Sequence, residues 1–395
     1  MRRSGSSVGL RTGRAVSGAV VACLAVASAV ATTTAASASS AALPDHQPPV
    51  PTGNPYTAFS KNGPYKPGVV FETTPEGDTV VVTYPVDPAS TVGKATYVIN
   101  LLRWYTGSPT APIPTGLPKN LPVTLATDAY TGVPISSGGP FPVVLFAHGG
   151  GGYPEQSSFL TDHLATWGFV VVAPDVKDSD LHSFLSSSAA DAGSTYPIDL
   201  SQALSFVGTM NGTPGTLLAG KLDLSRVATL GHSDGGAAAI NFAVHKDIRT
   251  YVALAPAGAN PPPSKPGMIM QGAADKVVNP AGTKKLYARL AAPKRLILVD
   301  KAGHNVFDDG CTIGAAHGGL VAFVKQLKLP HGLLAEAVDG CSAPDVYPPK
   351  AWPMIDQAVT AQLRWGLGID KAPIGLGSGL DRAYAGVTVS VQSQG

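Results

Sequence analysis

Residues 226–239, RVATLGHSDGGAAA, constrain this chain more than any other stretch. Arg226 to Leu230 is short, apolar and partly β-branched, the pattern of a strand buried in a parallel sheet. Gly231-His232-Ser233-Asp234-Gly235 follows, then the small run Gly236-Ala237-Ala238-Ala239, which suits a helix packed close to a sheet. A serine on a strand-to-helix elbow is forced into a strained backbone that lifts its hydroxyl clear, and the flanking glycines leave room for neighbouring backbone. Ser233 is therefore the candidate nucleophile. The pentapeptide alone proves little in a chain with 45 glycines, since Gly5-Ser6-Ser7-Val8-Gly9 also matches it. The strand before Ser233 and the helix after it supply the context that the pattern needs.

A serine needs a base to take its proton, and the base needs an acid to fix its tautomer. An elbow serine takes them in the chain order nucleophile, acid, histidine. The downstream histidines are His245, His304, His317 and His331. His304 lies just after the strand expected at 295–299, where a loop can bring imidazole over the strand ends. His245 reads as part of the helix after the elbow, and His317 and His331 fall in less regular segments. Asp275, in QGAADKVV, sits where a strand end and a small turn would present the acid. Asp300 is nearer to His304 but belongs to the same connection, and Asp175 would need another chain order.

An oxyanion needs preorganised N–H donors. One is expected from the backbone of Asp234 at the helix start. The other is expected from the glycine run His148-Gly149-Gly150-Gly151-Gly152 after the strand FPVVLFA (141–147), with Gly150 the first choice and Gly149 the second. Asp175, Asp178, Asp180 and His182 form a further polar cluster, read as a solvated loop or a lining of the cleft; no metal motif of known spacing appears. Trp167 reads as core.

The rest of the chain alternates strands with helices. Helices are expected at 157–167, 197–210, 281–290, 314–327 and 352–367, and strands at 79–84, 95–105, 169–173, 250–254 and 267–270 besides those named. This implies a mostly parallel sheet with helices on both faces. Residues 106–140 read as turns, and an apolar alternation at 387–391 has no assigned place. Domain boundaries follow: 1–38 a signal peptide, 39–76 a Pro-rich extension or linker, 77–370 the catalytic domain and 371–395 a tail.

The signal peptide rests on Arg2, Arg3, Arg11 and Arg14, an apolar run over 15–30 and Ala36-Ser37-Ala38, an A-x-A-like cleavage site. Its removal takes four arginines and no acidic residue or lysine, so the formal charge moves from +2 to −2. The basicity belongs to the leader, which argues against a nucleic-acid partner. Secretion without a stable membrane anchor is the expected destination. Cys23 leaves with the leader, and Cys311 and Cys341 are expected to pair in an oxidising compartment. That bond would close a loop worth about 3 kcal/mol and begins seven residues after His304, so it either pins the histidine loop or tethers the chain generically.

At FPVVLFAHGGGG, GHSDGG, QGAADKVV and AGHN the chain resembles the α/β-hydrolase superfamily, and within it the dienelactone-hydrolase-like and platelet-activating-factor-acetylhydrolase-like secreted esterases. The resemblance spans roughly 80–310 and implies serine ester hydrolysis of a small-molecule or lipid-like ester, without a cofactor. Dienelactone hydrolase proper has a cysteine nucleophile where this chain has Ser233. Cutinase-like polyester hydrolases are similar in motif order and in a late disulfide, but usually carry Met at the position of Asp234 and an aromatic residue at that of Gly150. A lipase, a serine peptidase of prolyl-oligopeptidase type and a non-catalytic binding protein on the same scaffold are the alternatives.

Overall fold

The protein is seen in a computed structural model that describes residues 47–106, 123–186, 195–260, 264–315, 319, 335 and 337–395. The expected leader at 1–38 lies outside them, as do His317, His331 and most of the helix expected at 314–327.

The centre of the sheet is β5 (Phe141–Ala147), β7 (Leu222–His232) and β8 (Ile248–Leu254), all parallel. Strand β9 (Gly267–Gly272) and then β10 (Lys294–Val299) extend it in the same direction beyond β8, and β6 (Val170–Pro174) joins parallel on the other side of β5. Every residue of β5 is buried, because helices cover both faces. Alternate side chains of a strand point to opposite faces, so one apolar run feeds two cores. Val144 and Phe146 belong to one core that includes Leu160 and Leu164 of α2 (Ser158–Thr166) and Met354, Ala358 and Val359 of α7 (Pro348–Gly366). Val143 and Leu145 belong to a second core that includes Leu200 and Val207 of α4 (Tyr196–Gly212), Ile240 of α5 (Asp234–Phe242) and, further along the sheet, Leu286 of α6 (Pro280–Arg289).

Three strands, β1, β4 and β11, lie outside what the sequence led us to expect. Within the Pro-rich extension, β1 (Lys66–Thr73) pairs antiparallel with β2 (Thr79–Val86), which pairs antiparallel with β6. Among the residues expected as turns, β4 (Thr124–Tyr130) forms and carries β3 (Thr96–Asn100) at the sheet edge. The strand expected at 95–105 is cut short at Asn100, whose side chain accepts the Leu102 N–H at 3.1 Å and caps the short helix α1 (Leu101–Tyr105). In the C-terminal tail, β11 (Val389–Gln394) runs antiparallel to β10, which places the unassigned alternation. The complete order is β11-β10-β9-β8-β7-β5-β6-β2-β1-β4-β3.

The N-terminal strap and the tail meet on α7. Fully buried Gln357 accepts the Phe59 N–H at 2.7 Å and donates to the Pro55 and Ile374 carbonyls at 3.2 and 3.1 Å. Phe59 in turn stacks edge-on against Trp167, which is core as expected. Among the described residues no helix is long and apolar enough to cross a membrane.

The register positions the site. Ala147 pairs with Gly231, Gly231 with Ala253, Leu254 with Met270, and Gly272 with Val299. The carboxyl ends of β5, β7, β8, β9 and β10 therefore open at one edge, where ligands of open α/β sheets bind.

Candidate active site

Ser233 terminates β7 and caps α5 with φ 57° and ψ −119°. Such a backbone costs about 1–3 kcal/mol and survives only when its surroundings over-determine it. Here its N–H donates to the Leu254 carbonyl at 2.9 Å, and its carbonyl accepts from the N–H groups of Ala237 and Ala257 at 3.0 and 3.1 Å. The flanking glycines let the elbow close. A Cβ on Gly231 would stand 2.1 Å from the Gly235 carbonyl oxygen, and one on Gly235 would stand 2.1 Å from that of Ala147. Ser233 remains half-buried rather than enclosed.

Asp275 follows β9 by one tight turn, and its side chain is buried. Its Oδ1 accepts the N–H groups of Val277 and Val278, each at 2.8 Å, while Oδ2 accepts from Gln271 Nε2 at 2.7 Å and His304 Nδ1 at 2.9 Å. A carboxylate so supplied with donors assigns the proton to Nδ1 of His304 and leaves Nε2 with a lone pair. The His304 ring lies 4.5 Å, centroid to centroid, from that of His232, the residue before Ser233. Asp275, His304 and the elbow thus converge at one edge of the sheet. Asp300 is exposed there, Asp175 lies beside His148 instead, and His245 falls beyond the end of α5, stacked on Phe242.

The glycine run is similarly constrained. The Gly149 N–H donates to Gln156 Oε1 at 3.0 Å, that of Gly151 to the Ser179 carbonyl at 2.9 Å and that of Gly152 to the Gly149 carbonyl at 3.0 Å. The Gly150 N–H has no such partner among the described residues, and Gly150 sits against Asp234, since a Cβ there would stand 2.6 Å from Asp234 Oδ2. Asp234 opens the first turn of α5, where helical N–H groups point outward.

Three residues at the site carried no sequence signal. Gln156 holds Gly149 with its oxygen and meets His232 Nδ1 with its amide nitrogen at 3.0 Å, so it joins the glycine run to the histidine side of the cleft. Burial, with His304 alongside, pushes His232 well below the ordinary histidine range, which keeps it neutral. Asp308 stands 3.6 Å from His232 Nδ1 and accepts the Gly310 N–H at 2.8 Å. Asp309 caps α2, accepting the Ser158 N–H at 2.6 Å, and so fastens the histidine loop to that helix.

Burial pushes the Asp308 carboxyl from 3.8 up to about 7. Because the folded value lies above the unfolded one, the protonated carboxyl contributes stability that is present below about pH 4 and lost as the pH rises through about 7. Asp308→Asn, neutral throughout and still able to accept from Gly310, should raise the thermal midpoint at pH 8 by about 2–4 °C and leave it unchanged at pH 4. Equal shifts at both pH values would remove ionisation as the cause.

The remaining candidates separate. Cys311 and Cys341 are bonded to each other. Asp175, Asp178, Asp180 and His182 are not the solvated loop expected of them: Asp175 is buried beside His148 and feels the charge of buried Asp180, which accepts the Ser183 N–H, whereas Asp178 and His182 are exposed and His182 contacts the Tyr105 carbonyl. Among the described residues no group of three or more His, Cys, Asp or Glu side chains is arranged to hold a metal ion.

Residues 127–255 match the family model described as Chlorophyllase, a family of α/β-hydrolase-type esterases. The matched segment includes the glycine run and the elbow and ends before Asp275 and His304. No curated protein matches the chain. With the mostly parallel sheet and helices on both faces, the match shows an α/β-hydrolase fold and supports a hydrolase acting on esters.

Proposed function

We propose that the chain is an exported carboxylic ester hydrolase working through an acyl-enzyme. Ser233 Oγ attacks the acyl carbon as His304 Nε2 takes its proton. Asp275 holds the imidazole and balances the charge that forms on it. The oxyanion lies between the N–H groups of Asp234 and Gly150; that of Gly149 is already engaged with Gln156. As the intermediate collapses, the carbon–alkoxide bond breaks and the imidazolium gives its proton to the departing alcohol. Water then attacks the acyl carbon, His304 takes its proton, and Ser233 leaves with that proton restored. The substrate is a small-molecule or lipid-like ester, and no cofactor takes part.

The observation that carries this reading is the 2.9 Å hydrogen bond from His304 Nδ1 to buried Asp275, beside a serine held at φ 57°. Export draws support from the Cys311–Cys341 bond, which is at home in an oxidising compartment, and from the composition of residues 1–38. The test is turnover of p-nitrophenyl esters from acetate to palmitate by the folded protein. Hydrolysis with a defined chain-length optimum is expected; a folded protein inert toward the whole series would end the ester-hydrolase reading.

A further inference from the structure

The acid and the base of the proposed triad stand on loops from two different strands, β9 and β10, and a third segment ties those loops together. Asp339 Oδ2 accepts the backbone N–H of Lys276, the residue after Asp275, at 3.0 Å, and the backbone N–H of His304 itself at 2.8 Å. The Asp339 carbonyl accepts the Asn305 N–H at 3.0 Å. Three main-chain donors from the two loops therefore end on one residue. Its side chain is almost wholly buried, and Lys276 Nζ lies 3.6 Å from the other carboxylate oxygen.

The fit behind these bonds is close. A Cβ on Gly303 would stand 2.4 Å from the Gly340 nitrogen and 2.8 Å from the Asp339 carbonyl carbon, so residues 339–340 press directly on the backbone that leads into His304. Two positions on, Cys341 is bonded to Cys311, which follows the same histidine loop. Asp339 is anchored covalently to the loop that it organises.

We infer that Asp339 is a positioning residue for the triad: its carboxylate sets the backbone of the acid loop against that of the base loop, so that His304 Nδ1 meets Asp275 while Nε2 faces the nucleophile. The inference rests on the ester-hydrolase reading. It acts on the geometry of proton transfer and not on the substrate pocket, so its signature is a loss of kcat with KM preserved. A misplacement on the order of 1 Å costs about 100-fold in rate.

The test compares Asp339→Ala and Asp339→Asn with the wild type on p-nitrophenyl butyrate. Active sites are counted by fluorophosphonate labelling of Ser233, so that kcat refers to folded, competent protein. Asp339→Ala should lower kcat per labelled site by about 100-fold with KM within about threefold. Asparagine keeps an oxygen that can accept both N–H groups, and should restore kcat to more than about a tenth of the wild-type value. Asp339→Ala with wild-type kcat overturns the inference, and so does Asp339→Asn below that tenth. The asparagine variant decides alone if the alanine variant does not fold. A wild type that neither turns over esters nor labels at Ser233 would instead sink the hydrolase reading.

Discussion

Ser233→Ala should lower kcat for p-nitrophenyl butyrate by about 10⁴–10⁶-fold, with the thermal midpoint within about 2 °C of the wild type. The size of the loss follows from what one oxygen does. In the proposed mechanism no acyl-enzyme forms without Oγ, and the N–H donors with the bound geometry would retain only a small residual acceleration of direct hydrolysis by water. The fold should be nearly indifferent. The elbow's backbone is held by the main-chain bonds of Ser233 to Leu254, Ala237 and Ala257, none of which involves the hydroxyl. Alanine has the same Cβ as serine, so it meets the same strain at φ 57°. Steady-state rates and calorimetry on one preparation separate the two effects. Wild-type turnover by Ser233→Ala would place the nucleophile elsewhere.

Gly235→Ala has the opposite character: a structural failure from one added methyl. Its Cβ would stand 2.1 Å from the Ala147 carbonyl oxygen and 2.3 Å from that of His148, both backbone atoms of a fully buried strand end. Neither can rotate away as a side chain could. Helix α5 would have to lift from β5 and take Ser233 with it. The expected cost is about 4 kcal/mol or more, a large part of the roughly 5–15 kcal/mol that holds a typical domain folded. Gly282→Ala in α6 is the control, because nothing lies within 4 Å of a Cβ there and alanine favours a helix. Thermal unfolding should therefore show a large drop for position 235 and none for 282. Equal midpoints would contradict the packing at the elbow.

The candidate site was legible where its chemistry grows directly out of strand ends. Ser233, Asp275, His304 and Gly150 each lie within a few residues of an apolar run, so strand, turn and functional residue are read in one local pattern. Gln156, Asp308 and Asp339 were not legible, because their partners are distant in sequence: Asp339 meets Lys276 across 63 residues and His304 across 35. Nothing local marks an aspartate that accepts another loop's backbone. The same limit governed the fold. Central strands declared themselves through continuous burial, whereas β1, β4 and β11 are partly exposed strands rich in polar residues or interrupted by proline and glycine. Asn100 is the exception that local chemistry could have resolved, since its helix-capping side chain ends the strand expected at 95–105.

Gln357 carries a consequence for how the molecule comes apart. Its hydrogen bonds to Phe59 and Pro55 close separations of 298 and 302 residues, so nearly the whole sheet is enclosed within the loop they complete. Contacts of such span form after the chain has otherwise condensed, because the entropy of closing the loop must be met first. A contact absent from the transition state slows escape from the native state and has little influence on the rate of reaching it. The strap that Gln357 holds is thus a determinant of lifetime: it governs how long a folded molecule persists, while the central strands govern how fast one forms.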